Sequence, residues 1–164
     1  MPVSGRRLQR FKDAQGQTVS GFQSALSEIR AGGKRSHWIW YVFPQLSGMG
    51  SSAASLTYGL DGVSEAEEYL RDPLLRSRLL TIASAVRSQL EGGAPLLRLM
   101  GSAIDVTKLV SSMTLFGHVA RRLHDAEGLD EYAALGAVAR TILPRAAQEG
   151  YPRCQFTQNA LSNQ

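Results

Sequence analysis

Residues 34–50, KRSHWIWYVFPQLSGMG, contain both tryptophans of the chain and one of its three histidines. The segment WIWYVF is rich in aromatic and β-branched residues, which favour β-strands. No second segment of similar composition occurs in the sequence, and a strand without partners is at best marginally stable. We therefore interpret residues 37–43 as a short buried helix or an extended segment, and Pro44 with the following LSGMGSS as a tight, glycine-rich loop. With its best strand candidate unpaired, the sequence favours an all-α fold.

Helical periodicity extends through the rest of the chain. Apolar residues recur at three- and four-residue spacing in six segments, which are residues 8–15, 19–29, 64–70, 73–90, 105–116 and 130–142. Together with residues 37–43, these segments predict a compact single-domain bundle of about six to eight helices. The domain is expected to span residues 1–164, with its core at about residues 8–161.

Several helix boundaries are indicated by capping residues. Ser64 with Glu67 fits a capping box, and Asp72 before Pro73 fits an N-cap followed by proline at the first helical position. Ser102 and Asp130 are suited to begin two later helices. Paired glycines, at residues 32–33 and 92–93, are suited to end the helices that precede them.

Composition and length indicate a soluble globular protein. The chain has 164 residues, of which 43% are hydrophobic and 20% charged, so a sizeable core can form. Its longest apolar run, Trp38–Pro44, is far shorter than the roughly 20 residues that span a bilayer. We therefore expect a cytoplasmic protein without a membrane segment. Cys154 is the single cysteine, so no internal disulfide can form.

The net charge of +4 favours anionic partners only weakly. Basic residues are scattered, and the densest groups are Arg6, Arg7 and Arg10, then Lys34 and Arg35, then Arg121 and Arg122. Since no nucleic-acid-binding motif accompanies them, we do not expect nucleic acid as a partner. The histidines form no pair with metal-ligand spacing, so neither a metal site nor a cofactor is expected.

The motifs RFKDAQ, HWIWYVFPQLSGMG, EAEEYLRDPLLRSRL and DVTKLVSSMTLF resemble, in order and spacing, the bacterial DUF1810 family. The resemblance extends over about residues 8–161 and includes the tail GYPRCQFTQNAL. It implies the Rv1873-like all-α fold of that family, a compact and mostly helical domain. It implies no defined activity.

The first candidate site lies in residues 37–50. Histidine side chains commonly act as acids or bases near neutral pH, and His37 stands with Lys34, Arg35 and Gln45, so it is a candidate acid or base, although a structural histidine is the alternative. In a helix, Trp38 and Trp40 would point about 200° apart. We assign Trp40 to the core and Trp38 to the candidate site, where its ring would stack on a planar ligand; ordinary packing in the core is the alternative for Trp38.

The second candidate site lies in the segment KLVSSMTLF. Lys108, Ser111, Ser112 and Thr114 are polar residues in a helix that otherwise appears buried, and buried polar groups require partners. Either the hydroxyl groups bond back to carbonyls of the preceding turn, or they face a ligand. Lys108 and Ser112, four residues apart, would share one helix face.

Two functional hypotheses follow from these residues. In the first, the two segments form a pocket that binds a small anionic, nucleotide-derived molecule, with Gln45, Ser111, Ser112 and Thr114 as ligand-binding residues. If the protein turns this ligand over by hydrolysis or group transfer, His37 serves as acid or base and Lys108 holds charge. In the alternative, the protein is a non-catalytic protein–protein interaction module with a basic surface. The sequence predicts no oligomeric state.

Overall fold

The computed structural model describes the backbone of residues 2–163 and the side chains of residues 7–163. Its helices are α1 (Pro2–Gln15), α2 (Phe22–Arg30), α3 (Ile39–Val42), α4 (Ala53–Tyr58), α5 (Gly62–Arg71), α6 (Pro73–Glu91), α7 (Leu96–Met100), α8 (Ala103–Glu127), α9 (Asp130–Gln148) and α10 (Gln155–Ser162). An isolated bridge joins Leu46 to Leu60. No helix in the described part of the chain is long and apolar enough to cross a membrane.

The all-α prediction is confirmed, but the predicted number of helices is wrong. The described residues form ten helices, compared with the expected six to eight. The glycine-rich loop was expected to lead into a helix starting near Ser51 or Ser52, which is α4, whereas α7 and α10, with 5 and 8 residues, were not predicted. A helix of one or two turns is too short to show a periodic apolar stripe, so the sequence pattern does not reveal it.

Helix α8 forms the centre of the domain. Every residue from 109 to 117 is buried, so this part of the helix is covered on all sides. Helices α3, α5, α7, α9 and α10 all contact it. The sequence predicted this element only as far as Phe116, whereas α8 continues to Glu127.

Helices α8 and α9 form an antiparallel hairpin joined by residues 128–129. They approach closely at Gly117, where a Cβ atom would lie only 2.8 Å from the Cβ of Ala139. This separation is well inside the 3.5–4.0 Å preferred by carbon atoms, so the crossing requires glycine. On α9, a Cβ at Gly136 would lie 3.3 Å from Cγ of Arg121. Because Gly136 has no side chain, the aliphatic part of the Arg121 side chain can pack against its backbone.

The starts predicted for α6 and α8 are confirmed. Oδ1 of Asp72 accepts hydrogen bonds from the backbone N–H groups of Leu74 and Leu75, each at 3.0 Å, and Pro73 is the first residue of α6. Ser102 similarly caps α8 with its hydroxyl oxygen. These caps satisfy N–H groups that the first turn of a helix leaves without partners.

The capping box predicted at Ser64 and Glu67 is wrong. Helix α5 begins two residues earlier, at Gly62, and its N-cap is Asp61. The side chain that bonds to the backbone N–H of the N-cap residue is Glu65, whose carboxylate accepts this hydrogen bond from Asp61 at 2.8 Å. The same type of interaction is therefore present, but it uses different residues.

Most of the N-terminal basic group is engaged in ion pairs. Arg10 donates to both carboxylate oxygens of Glu65 at 3.0 Å. Arg7 lies 2.9 Å from the carboxylate of Asp61 and 3.4 Å from that of Glu65. The side chain of Arg6, the third member of the group, lies outside the described residues. Arg7 and Arg10 thus hold α1 against the start of α5.

The segment HWIWYVF folds as the single-turn helix α3, one of the two conformations expected for it. Trp38 comes just before α3 and is 0% exposed. Its ring packs near that of Phe43, with 6.3 Å between the ring centroids. Its indole N–H donates to Glu28 of α2 at 2.9 Å. Trp38 therefore anchors the start of α3 in the core.

Glu28 organises the loop that leads into α3. Besides the indole of Trp38, its carboxylate accepts hydrogen bonds from the backbone N–H groups of Arg35 and Ser36 and from the hydroxyl of Ser36. Burial alone would raise the pKa of Glu28, but these hydrogen bonds outweigh it and lower the pKa to about 2 from an ordinary 4.5. The charged form is therefore the one that the fold favours.

We expect the stability of the protein to depend on Glu28 in acid. Because its pKa is lower in the folded protein than in the unfolded chain, its contribution is fully present above about pH 4.5 and is lost as the pH falls towards about 2. The full contribution is at most about 3 kcal/mol. In urea denaturation from pH 7 to pH 2, Glu28→Gln should lower the stability at pH 7 and flatten its fall in acid. Glu91→Gln, which changes an exposed i,i+4 pair, is the control. A Glu28→Gln profile parallel to that of wild type would contradict this prediction.

Candidate functional site

A cavity of about 590 Å³ opens between the α3 region and the beginning of α8. Its wall mixes apolar and polar side chains, among them Trp40, Gln45, Met49, Lys108, Ser111 and Cys154. Among the described residues that line the wall, the ionisable ones are Lys108 and Cys154. We refer to this feature as the Lys108 cavity. Ligand sites commonly combine an apolar concave surface with a few polar groups in this way.

One face of α8 supplies a side of the Lys108 cavity. Ile104, Thr107, Lys108 and Ser111 follow one another at spacings of three, one and three residues. Such spacing places the four side chains on the same face of a helix. The cap at Ser102 fixes where α8 begins and therefore where this face lies.

The opposite side of the cavity comes from α3 and the loop after it. Trp40 lies on α3, while Gln45 and Met49 lie in the loop. This loop is fixed by two backbone hydrogen bonds, from Ser47 N–H to the carbonyl of Leu60 and from Leu60 N–H to the carbonyl of Gln45, both 2.9 Å long. The loop walls of the cavity are therefore ordered by backbone pairing.

The Lys108 ammonium lies 4.2 Å from the centre of the Trp40 ring, as a cation–π pair. Only 15% of the Lys108 side chain is exposed. Burial lowers the pKa of Lys108 below its ordinary value, with Asp105 opposing this effect and Lys34 adding to it. Lys108 is thus a cation held in a partly desolvated position, where interaction with an anion is stronger than in open water.

Asp105 is shared between two lysines. Its Oδ2 lies 2.8 Å from Nζ of Lys34, whereas its Oδ1 lies 3.9 Å from Nζ of Lys108. Lys34 also donates to the carbonyl of Ser36 at 2.6 Å. Because its distance to Lys34 is the shorter one, the Asp105 carboxylate pairs mainly with Lys34. The positive charge of Lys108 is therefore only partly compensated within the protein.

Cys154 and its neighbours close one end of the Lys108 cavity. The Cys154 Sγ accepts a hydrogen bond from Thr157 at 3.2 Å and lies 3.6 Å from the sulfur of Met49. Ser111 Oγ in turn lies 3.3 Å from Oγ1 of Thr157. Although burial raises the pKa of Cys154, hydrogen bonds from Thr157, Ser111 and the backbone of Phe156 lower it overall. The thiol is therefore easier to ionise than an ordinary cysteine.

His37, the predicted acid or base, does not line the Lys108 cavity. It is exposed and lies in a separate depression of about 180 Å³ with Lys34 and Asp105. The carboxylate of Asp105 lies between the two features, through its contacts with Lys34 and Lys108. The predicted combination of His37 with Lys108 in one pocket is therefore not found.

The two tryptophans have the opposite positions from those assigned to them. Trp38, predicted to contact a ligand, is completely buried and bonded to Glu28. Trp40, predicted to belong to the core, is partly buried and lines the Lys108 cavity. The two residues do diverge as expected for a helix, but the pattern does not specify which of them faces inward.

The polar residues of α8 also divide between different surroundings. Ser111 lines the Lys108 cavity. Ser112 is 0% exposed, and its hydroxyl oxygen has no hydrogen-bond partner among the described residues. Thr114 lines a different groove and donates back to the carbonyl of Val110 at 2.7 Å. Of the predicted ligand-binding residues, the cavity therefore brings together Gln45 and Ser111, beside Lys108.

Several residues of the cavity wall were not assigned to the site from the sequence, among them Trp40, Met49 and Cys154. A helical wheel centred on Lys108 selects Ser111 and Ile104, but it cannot identify residues supplied by other elements. Cys154 reaches the cavity through α10, a helix that was not predicted. Within the described residues, no three His, Cys, Asp or Glu side chains are grouped as metal ligands would be.

The structure is a small all-α fold with the Lys108 cavity at the edge of its core. The sequence matches the family model described as "Protein of unknown function (DUF1810)" over residues 5–142. The protein belongs to this family, as its motifs indicated. The matched segment ends within α9, so Cys154 and α10 lie beyond it.

A solved structure supports the assignment. The conserved hypothetical protein Rv1873 from Mycobacterium tuberculosis is 36% identical in sequence, with a TM-score of 0.64. The alignment covers 86% of this chain and 94% of that protein. Among the curated proteins, none matches the sequence significantly.

Proposed function

We propose that the Lys108 cavity binds a small anionic organic molecule. The observation that carries this proposal is the Lys108 ammonium, which is largely buried in the cavity wall and shares its nearest carboxylate with Lys34. A partly desolvated and incompletely compensated cation favours a negatively charged ligand. Gln45 and Ser111 add groups that can hydrogen-bond to the polar part of such a molecule.

A nucleotide-derived ligand is the chemical class that fits this wall best. The volume of about 590 Å³ lies within the range for small-molecule sites. Trp40 and Met49 offer apolar surface to a planar ring, while Lys108 offers a charge to a phosphate or carboxylate. Because Lys108 already covers one face of Trp40, a bound ring would pack beside this pair rather than over that face.

A hydrolytic or group-transfer reaction in this cavity would not use His37, which lies in the neighbouring depression. The groups available for such chemistry are Lys108 and Cys154, both with pKa values lowered from their ordinary ranges. Lys108 would hold the charge of the ligand, as first expected, and Cys154 would be the titratable group beside it. Our proposal is restricted to binding, with these two residues as candidates for turnover.

We expect a thermal-shift screen of nucleotides and phosphorylated metabolites to find compounds that raise the Tm of the wild-type protein. Lys108→Met should abolish this rise, because the anion loses its counter-charge. The unliganded Tm of the variant should remain within a few degrees of wild type, since removing one partly buried cation leaves the core packing intact.

Two control variants separate binding at Lys108 from general effects of charge. Lys12→Met removes an equal charge from α1, where Lys12 pairs with Asp72 outside the cavity. His37→Ala alters only the neighbouring depression. Both variants should keep the ligand-induced shift. A Lys108→Met protein with an undiminished shift would refute the proposal, and a wild type stabilised by none of the anions would favour the interaction module.

A further inference from the structure

A second concavity, of about 230 Å³, lies between α8 and α10 and is strongly basic. We call it the arginine groove and define it by His118, Arg121, Arg153 and Gln158. Arg140 lies next to it, in an adjoining depression that also contains Arg121. None of the described residues that line the arginine groove is acidic. Its residues are different from those of the Lys108 cavity.

Among the described residues, no carboxylate forms an ion pair with the arginines of this region. No ion pair joins Arg121, Arg140 or Arg153 to a carboxylate among the described side chains. Asp125 shares the adjoining depression with Arg121 and Arg140 but bonds to neither. By contrast, Arg10 and Arg71 each have a carboxylate partner at about 3 Å. Three guanidinium groups thus repel one another, and no carboxylate in the described part of the chain pairs with them.

The electrostatic effect of this grouping is visible in two titratable groups. Burial, with repulsion from Arg140 and Arg153, lowers the pKa of Arg121. Burial, with repulsion from Arg121 and Arg122, likewise lowers the pKa of His118. An anion placed among these groups would relieve the repulsion, so the groove has a favourable place for negative charge.

Arg121 is held in position by the packing of α8 against α9. Its stem passes Gly136, where even a single Cβ atom would come within 3.3 Å of Cγ. A Cβ at Gly117, one turn earlier on α8, would lie 3.7 Å from Nη1 of Arg121. Because neither glycine has a side chain, the Arg121 side chain can extend along the contact between α8 and α9. A guanidinium positioned in this way loses less side-chain entropy on binding than a freely exposed one.

We propose that the arginine groove binds the phosphate group of a small phosphorylated molecule, held by Arg121 and Arg153 with His118 and Gln158 beside them. The planar guanidinium fork matches two phosphate oxygens at once, and two such forks line one groove here. The volume of about 230 Å³ is suited to a phosphate and the few atoms attached to it. This proposal is independent of the function proposed for the Lys108 cavity.

A small molecule fits the groove better than a nucleic acid does. Proteins that bind single strands combine basic residues with aromatic side chains on which the bases stack. The wall of the arginine groove contains no aromatic residue other than the imidazole of His118. Its shape is concave and its charge is concentrated, rather than spread along a track for a polymer backbone.

The test titrates the full-length protein with inorganic phosphate and with glycerol phosphate, at constant ionic strength set with chloride. We expect both anions to raise the Tm and to raise the pKa of His118, measured by NMR of its ring protons, because bound phosphate offsets the arginine charges. Arg121→Gln and Arg153→Gln should each weaken the affinity by about tenfold or more. Arg153 is exposed, so its replacement leaves the fold unchanged even if that of Arg121 does not.

Arg122→Gln is the matched control, because it removes the same charge as Arg121→Gln. Arg122 is the exposed neighbour of Arg121 and lies outside the groove. This variant should retain the affinity of wild type to within about twofold. Three results would overturn the proposal. The first is an equal Tm of the wild-type protein in phosphate and in chloride. The second is a loss of affinity in Arg122→Gln equal to the loss in Arg121→Gln. The third is binding of an oligonucleotide that is tighter than binding of phosphate and depends equally on Arg121 and Arg122.

Discussion

Replacing Trp38 with alanine is expected to lower the free energy of unfolding by about 3–5 kcal/mol. The Trp38 ring is 0% exposed, so its removal leaves a cavity that the surrounding core can refill only in part. The variant also deprives the Glu28 carboxylate of the indole N–H, one of its four hydrogen-bond donors. Urea denaturation followed by circular dichroism measures the loss directly.

Trp40→Ala is the matched control for this prediction. Trp40 belongs to the cavity wall and is only partly buried, so its loss should cost about 1–2 kcal/mol, a smaller amount than the loss of Trp38. The prediction fails if Trp38→Ala unfolds like wild type, or if Trp40→Ala is the more unstable of the two. Either outcome would restore the assignment of the two rings that the sequence suggested.

Arg10→Ala should also be strongly destabilising, by about 3–5 kcal/mol. The Glu65 side chain is only 3% exposed, and burial raises its pKa while hydrogen bonds and charge from Arg10 lower it overall. Without Arg10, the buried carboxylate keeps the backbone N–H of Asp61 as a donor, and among the described side chains Arg7, at 3.4 Å, is its one remaining cationic partner. Arg10 also donates to the backbone carbonyls of Thr57 and Gly59, which would lose these bonds.

The double variant Arg10→Leu with Glu65→Leu separates the cost of an unpaired charge from the cost of lost packing. Since removing both partners leaves no buried charge, this variant should recover most of the stability lost in Arg10→Ala. The exposed pair of Arg71 and Glu127 provides a reference, and Arg71→Ala should cost less than about 1 kcal/mol. If Arg10→Ala is no more destabilising than Arg71→Ala, then the buried pair contributes little and the prediction is refuted.

The fold class could be predicted because the decisive signals are local. The cap formed by Asp72 and Pro73 and the long apolar stripe of α6 are both encoded within a few residues. The absence of a partner strand for WIWYVF depends only on composition, and it correctly excluded a sheet. Helices α7 and α10 were missed because one or two turns do not establish a period.

The candidate site was harder to predict, because its walls come from elements distant in sequence. Lys108 and Ser111 could be proposed from one helix, whereas Trp40 and Cys154 reach them only through tertiary packing. The helical period predicts that the side chains of Trp38 and Trp40 point to different sides, but it does not specify which of the two faces the core. The arginine groove was missed for a similar reason, because Arg121, Arg140 and Arg153 belong to three different parts of the chain.

The contrasting positions of the two tryptophans give the protein two optical reporters. Trp38 is sealed in the core beside Glu28, so its fluorescence follows unfolding and is insensitive to solutes. Trp40 lies beneath the Lys108 ammonium in the cavity wall, so its emission depends on where that charge is. Since the sequence contains no other tryptophan, replacing Trp38 with phenylalanine would leave an emission spectrum that reports the occupancy of the Lys108 cavity alone.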